Sequence, residues 1–219
     1  NNPKMDHVNV SITGLEESYN HVVEKACSGE TVLVACDAKK DVERLKRSIK
    51  SRNKKIRVLD ICSETKIRDE VDAWIKNPNK ESKKWDVVIY NSAVDSGVSI
   101  TIDHFQHLTG VFRGIITPDS VIQMMGRNRC ARTWIIGCSP LGQIKNLDNP
   151  EQKFRALAAA NLKIQRESGE NPSVIPVASS YDKIRLSMEY SDALCRQDYL
   201  LTLKLMLEQK GYKVECKSS

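Results

Sequence analysis

The sequence predicts a parallel α/β layer fold with a mostly helical C-terminal extension. Short β-branched apolar runs alternate with amphipathic helical stretches through the first part of the chain. Those runs are apolar on consecutive positions, and past Pro150 a charged helical pattern replaces them. Consecutive apolar positions mark strands buried on both faces, the condition of a parallel sheet covered by helices. Strand–helix alternation is the pattern of right-handed crossover units.

Residues 31–36 (TVLVAC) form the first strand run, and Asp37 ends it in a position to cap the next helix. Val42, Leu45 and Ile49 fall at helical spacing among charges, so residues 40–49 are expected as an amphipathic helix. Residues 56–62 (IRVLDIC) are a second strand run. Val71, Trp74 and Ile75 mark a helix stopped by Pro78, and residues 77–84 read as a loop. Residues 85–90 (WDVVIY) are a third strand run. Short strands are expected at 98–100 and 111–116.

Pro118 suits the first turn of a helix running toward Arg127, with Thr117 or Asp119 near its cap. Residues 133–138 (TWIIGC) are the last clear strand run. Further on, Phe154, Leu157, Ala158 and Leu162 repeat at helical spacing. A loop with Gly169, Pro172 and Pro176 comes next. A helical stretch from Tyr181 to Gln209, broken near Ser191, then ends at Gly211. The expected organisation is a connecting segment over 1–29, an α/β domain over 30–145 and a helical extension over 146–219.

Composition narrows the function classes. Of 219 residues, 40% are hydrophobic and 28% charged, the balance of a globular rather than a disordered chain. The net charge of +6 is compatible with a polyanionic partner without establishing one. No run approaches the roughly 18 apolar residues of a membrane span, and residues 1–5 lack the apolar core of a secretory signal. The first residue is not methionine, so the chain is read as a fragment or processed form. The 7 cysteines include no Cys-x-x-Cys pair, and Cys36, Cys62 and Cys138 lie in or beside apolar runs. They are read as reduced thiols, the buried ones acting as small core residues. His104 and His107 lack a third metal ligand.

The sharpest chemistry lies in residues 120–132, SVIQMMGRNRCAR. A helix entering this segment sets Val121, Ile122 and Met125 against the sheet and leaves Gln123 on another face. Gly126 allows close approach of a neighbouring group. Arg127, Arg129 and Arg132 then emerge on one short segment. Always-charged guanidinium forks suit the phosphates of a nucleotide, although arginines at a helix end also complement its dipole.

This Gln-x-x-Gly-Arg pattern resembles motif VI of superfamily 2 helicases and translocases. In that family the motif sits on the second RecA-like domain and aims an arginine finger at ATP held by the first. Cys130 stands where the family's second arginine usually falls, which leaves Arg129 and Arg132 as alternatives. The Gly-Arg-x-Arg form resembles herpesvirus origin-binding helicases and the replication helicases of mobile elements. Residues 86–100 (DVVIYNSAVDSGVSI) resemble motif V through Ser92, Asp95, Ser96, Gly97 and Ser99. Small hydroxyls and a glycine after a buried strand expose short donors to phosphate. Residues 32–45 resemble motif IV. Ser63, Thr65 and Lys66 come after the second strand run, where the family often touches the nucleic-acid backbone. A helix N-cap is the other reading of those positions.

The resemblance implies the second, RecA-like motor domain of an ATP-dependent helicase acting on nucleic acid, DNA favoured, in replication. Its implied catalytic residues are Arg127, Arg129 and Gln123. Nucleotide would be touched by Gly97, Asp95, Gly126 and Arg132, and the nucleic-acid backbone by Ser92, Ser96, Ser63, Thr65 and Lys66. No Gly-x-x-x-x-Gly-Lys-Ser/Thr loop is present. ATP and Mg2+ are therefore expected to be bound mainly by an N-terminal RecA-like partner domain, and this chain alone is expected to be inactive. The implied location is cytoplasmic (nucleoid-associated in a bacterium), or nuclear for a viral or eukaryotic parent. A Rossmann-type methyltransferase or oxidoreductase is the catalytic rival, but no Gly-x-Gly-x-x-Gly stands after the first strand run. A RecA-like module that only binds nucleic acid or protein is the non-catalytic one.

Overall fold

Val32, Leu33, Val34, Ala35 and Cys36 are all fully buried, so the strand they form, β2 (Val32–Cys36), has no solvent face. The computed structural model describes residues 7–94, 97–144, 149–168 and 179–217, apart from the side chains of 165 and 166. Within them β2 is an interior strand of a seven-stranded sheet. The other strands are β1 (Asn9–Thr13), β3 (Val58–Ile61), β4 (Val87–Tyr90), β5 (His107–Phe112), β6 (Thr133–Cys138) and β7 (Lys213–Cys216). Their order is β3-β4-β2-β5-β6-β1-β7, and every pairing is parallel.

Alternate residues of each strand feed two separate apolar layers, as the two-residue pleat requires. Val32, Val34, Val87 and Ile89 face α1 (Leu15–Cys27) and α2 (Lys39–Arg52), meeting Val22, Val42, Leu45 and Ile49. Leu33, Ala35, Val88 and Ile136 face the opposite layer. That layer holds α3 (Asp69–Lys76), α5 (Pro118–Met125) and α8 (Tyr199–Gln209), with Trp74, Val121, Met125, Leu203 and Leu207 buried. Between α3 and β4 lie α4 (Pro78–Glu81) and a 3-10 turn at Ser82–Lys84. The other two helices are α6 (Pro150–Ser168) and α7 (Ser180–Gln197), which pack on each other. Among the described residues no helix is long and apolar enough to cross a membrane.

The α/β class is as read from the sequence, with corrections at both ends. Residues 1–29 are not merely a connection: β1 lies between β6 and β7, with Ile12 opposite Ile136, and α1 covers the sheet. The tail likewise returns to the sheet, because Tyr199, Leu203 and Leu207 recur four residues apart and are all fully buried. β7 then adds the edge strand beyond Gly211, whose φ of 88° ends the helical path. The helical break falls at Asp198 rather than near Ser191. The loop expected around Gly169, Pro172 and Pro176 lies outside the described residues. The strand expected over 111–116 lies earlier: β5 runs from His107 and stops at Phe112, and Gly114 at φ 76° turns the chain away. At 98–100 there is only a single parallel bridge, Ile100 to Asn128.

Asp37 does not cap α2, whose N-cap is Ala38. Its carboxylate instead accepts from the amides of Arg113 (2.9 Å) and Ile115 (2.8 Å), fastening the loop after β5. Beside it, the Arg113 guanidinium donates two bonds of 2.7 Å to Asp41, which is fully buried on α2. Burial pushes the Asp37 carboxyl above its usual range, against the pull of the two amides. All seven cysteines are free, and Cys36, Cys62 and Cys138 are buried as expected.

Candidate functional site

Two segments far apart in sequence meet beside the ends of β4 and α5. β4 stops at Tyr90, and Asn91 begins a tight turn. The Asn91 amide donates to Ile61 (3.1 Å), while its side chain accepts from the Ala93 amide (3.0 Å). Val94, its amide bonded to the Asn91 carbonyl at 3.2 Å, is buried in that turn. Further on, the Thr101 amide and hydroxyl bond to the Asn79 side chain at 2.8 and 2.9 Å, pinning the segment to α4.

The other segment begins with α5. Thr117 caps it, Pro118 occupies its first turn, and Val121, Ile122, Met124 and Met125 are buried. That pattern leaves Gln123 exposed, where its amide donates to Asp119 at 2.5 Å. Gly126 closes the helix with its amide on the Ile122 carbonyl. A Cβ there would stand 3.1 Å from that same carbonyl oxygen.

Backbone bonds clamp the two segments together. The Ile100 amide donates to Arg127 and the Arg129 amide to Ile100, both at 2.8 Å. The result is a cavity of about 350 Å³ lined by Gly97, Val98, Ser99, Gln123, Gly126, Arg127 and Arg129. Arg127 is half-buried. Its Nη2 donates to the Val94 carbonyl at 3.1 Å, and its Cζ lies 5.6 Å from the Tyr90 ring centroid. Its Nη1 is buried with no hydrogen-bond partner. A buried cationic donor without an acceptor is costly and is the group an entering anion would satisfy.

Arg129 is exposed at the same cavity. Arg132 is exposed too, but lines a different cavity of about 240 Å³ with Asp103, Phe105 and Cys130. Of the two arginines the sequence left as alternatives, Arg129, not Arg132, shares a cavity with Arg127. The reason is β6, which starts at Thr133 and carries Arg132 off along the sheet edge.

The remaining candidates divide. Asp95 and Ser96 lie outside the described residues. Ser92 is exposed after β4 and Ser63 after the adjacent parallel strand β3, so both stand on one edge of the sheet. Thr65 and Lys66 are half-buried. The Thr65 hydroxyl is engaged locally, accepting from the Cys62 amide at 2.8 Å and donating to Asp60 at 2.9 Å. Phe105 and Phe112, the aromatics between the two segments, are core residues rather than exposed platforms. His107 starts β5 and bonds Glu30 at 2.6 Å, while His104 meets the Trp85 carbonyl. Among the described residues no three His, Cys, Asp or Glu side chains gather as a metal-holding group.

Tyr90 and the Val94 carbonyl are not among the residues that sequence reasoning found. A tyrosine ending a buried strand carries no sign of its partner 37 positions later, so no local signal could have found it.

No family model matches this chain, and no curated protein does. Solved structures similar to it include S. cerevisiae Dbp5 bound to RNA and ADP BeF3, with 15% identity and a TM-score of 0.46. That alignment covers 85% of this chain and 46% of Dbp5, so the chain spans less than half the length of that protein. T4 UvsW is similar at 10% identity and a TM-score of 0.48, over 98% of this chain and 42% of UvsW. Domain 2 of the DEAD-box helicase Mss116p, bound to an RNA duplex, is similar at 11% identity and 0.46, over 97% and 100%.

Proposed function

We propose that this chain is the second, RecA-like motor domain of an ATP-dependent nucleic-acid helicase or translocase. The observation that carries the reading is the shared cavity. The segments resembling motifs V and VI line one pocket and are clamped at Ile100, and Arg127 in its lining has a buried guanidinium nitrogen with no partner.

In this reading Arg127 stabilises charge on the transferred phosphate. Arg129 serves as the second motif arginine, and Gln123 contacts nucleotide at the domain interface. Gly97 and Gly126 leave room for close backbone approach, and Asp95 contacts nucleotide as the motif resemblance implies. Ser92, Ser96, Ser63, Thr65 and Lys66 are the positions assigned to the nucleic-acid backbone, and phosphate contacts of this kind confer little base specificity. The chain's donors fit phosphate. ATP and Mg2+ are held mainly by an ATP-binding RecA-like domain elsewhere in the same protein. DNA as the polymer and replication as the process rest on the Gly-Arg-x-Arg form alone.

The test is ATP hydrolysis by the full-length protein, with and without single-stranded DNA or RNA, beside Arg127→Ala. Polymer-stimulated turnover is expected to fall by roughly 10³-fold or more in the variant. Turnover unchanged by the substitution removes the phosphate role. No turnover in either protein favours a binding module, and stimulation by RNA alone overturns the DNA assignment.

A further inference from the structure

One residue, Tyr90, lies beside the Arg127 guanidinium and also bonds the carbonyl that receives the Arg127 amide. At the backbone end, the Tyr90 hydroxyl donates to the Met124 carbonyl at 2.7 Å. That same carbonyl accepts the Arg127 amide at 3.2 Å. It belongs to the last turn of α5, where the regular helical ladder ends and a carbonyl can take an outside donor beside its tightened local bond. At the far end, the guanidinium carbon stands 5.6 Å from the centroid of the Tyr90 ring, within the range of cation–π attraction. Tyr90 itself is 1% exposed at the end of β4, a strand paired on both sides. It is a rigid support. Between these two holds, Nη2 is fixed on the Val94 carbonyl, and Nη1 is left as the buried donor without a partner.

We propose that Tyr90 is the positioning residue of this site. It fixes the backbone from which Arg127 leaves α5 and the place where its guanidinium rests, with Nη1 kept free of any protein acceptor. The proposal rests on the reading of Arg127 as the phosphate-binding arginine. Tyr90 touches no reacting atom and acts only through Arg127. Its two contributions separate chemically. Tyr90→Phe keeps the ring face and loses the Met124 bond, whereas Tyr90→Leu loses both.

The experiment uses the full-length protein and compares Tyr90→Phe, Tyr90→Leu, Arg127→Ala and the Tyr90→Leu/Arg127→Ala double variant. Polymer-stimulated ATP turnover is measured under single-turnover conditions and at steady state. Tyr90→Leu is expected to lower kcat roughly 5- to 30-fold with the KM for ATP little changed, and Tyr90→Phe to fall between it and wild type. In the Arg127→Ala background Tyr90→Leu is expected to have no further effect, a result that a general loss of structure does not produce. A Tyr90→Leu protein within about twofold of wild type, beside a collapsed Arg127→Ala, overturns the proposal and leaves the motor reading standing. An equal loss in both backgrounds overturns it too. If Tyr90→Leu does not fold, Tyr90→Phe decides alone, and wild-type kcat there overturns the proposal. Unchanged turnover in Arg127→Ala removes the motor reading, and this proposal with it.

Discussion

Replacing Asp41 with alanine should be among the most damaging single changes in this chain, although Asp41 lies outside the candidate cavity. Its side chain is 1% exposed and receives both arms of Arg113, whose own side chain is 27% exposed. Removing one partner of a buried ion pair strands the other charge, at a cost of about 3–5 kcal/mol. Here the lower end applies, because Arg113 keeps some solvent contact and the Asp37 carboxylate remains near it. A loss of about 3 kcal/mol, divided by a urea m-value of about 2–3 kcal/mol/M for a chain this size, lowers the unfolding midpoint by about 1–1.5 M. The corresponding fall in Tm is about 6–12 °C. Urea titration followed by circular dichroism reads this directly, with an unchanged m-value showing that the transition is the same one. The Asp41→Ala/Arg113→Met double variant should lose less than the sum of its single changes. A midpoint shift below about 0.3 M for Asp41→Ala would refute the claim that this pair is buried and coupled.

Two other contacts set measurable outcomes. A Cβ on Gly137 would lie 2.4 Å from the Ser18 hydroxyl and 2.5 Å from its Cβ, so Gly137→Ala should cost about 2–3 kcal/mol in urea unfolding. Adding Ser18→Gly should recover part of that loss, and no recovery would show that the clash lies elsewhere. His21, 5.3 Å from the His107 ring, has its pKa depressed below 6.5 first by burial, then by His107 and Lys25. The unfolded chain therefore takes up this proton more readily, and the His21 contribution to stability falls as pH drops below about 6.5. His21→Gln should shrink the difference in urea midpoint between pH 5 and pH 7.5; an unchanged difference would clear His21 of any part in it.

Much of the architecture is legible along the chain because each strand and helix announces itself locally. The run VLVAC has no polar position, which only a strand covered on both faces tolerates. Val42, Leu45 and Ile49 repeat at the pitch of a helix, and Pro118 after Thr117 marks a helix start. Residues of 97–100 and 123–129 were each assigned to nucleotide on the resemblance of their segments to two motifs, but the bridge that joins them at Ile100 and Asn128 came only from the structure. What the chain does not announce is partnership at a distance. Nothing local to Asn9–Thr13 or Lys213–Cys216 says that these segments pair with each other, because short strands at the two ends of a chain join only when the sheet between them is built.

The site shows the same division. Sequence alone determined that the arginines of residues 127–132 lie on one short segment entered by a capped helix and left by a buried strand. Only the tertiary structure decided which of them share a cavity, since Arg129 turns into it at the Ile100 bridge and Arg132 leaves with β6. It also decided that Tyr90 reaches Arg127, that Asp37 fastens the loop after β5 rather than caps α2, and that Asp41 joins it there by holding Arg113. The physical reason is the range of the forces. Propensity, capping and apolar periodicity act within about a turn of chain, whereas ion pairs, ring contacts and backbone bridges depend on which strands the sheet has already brought side by side.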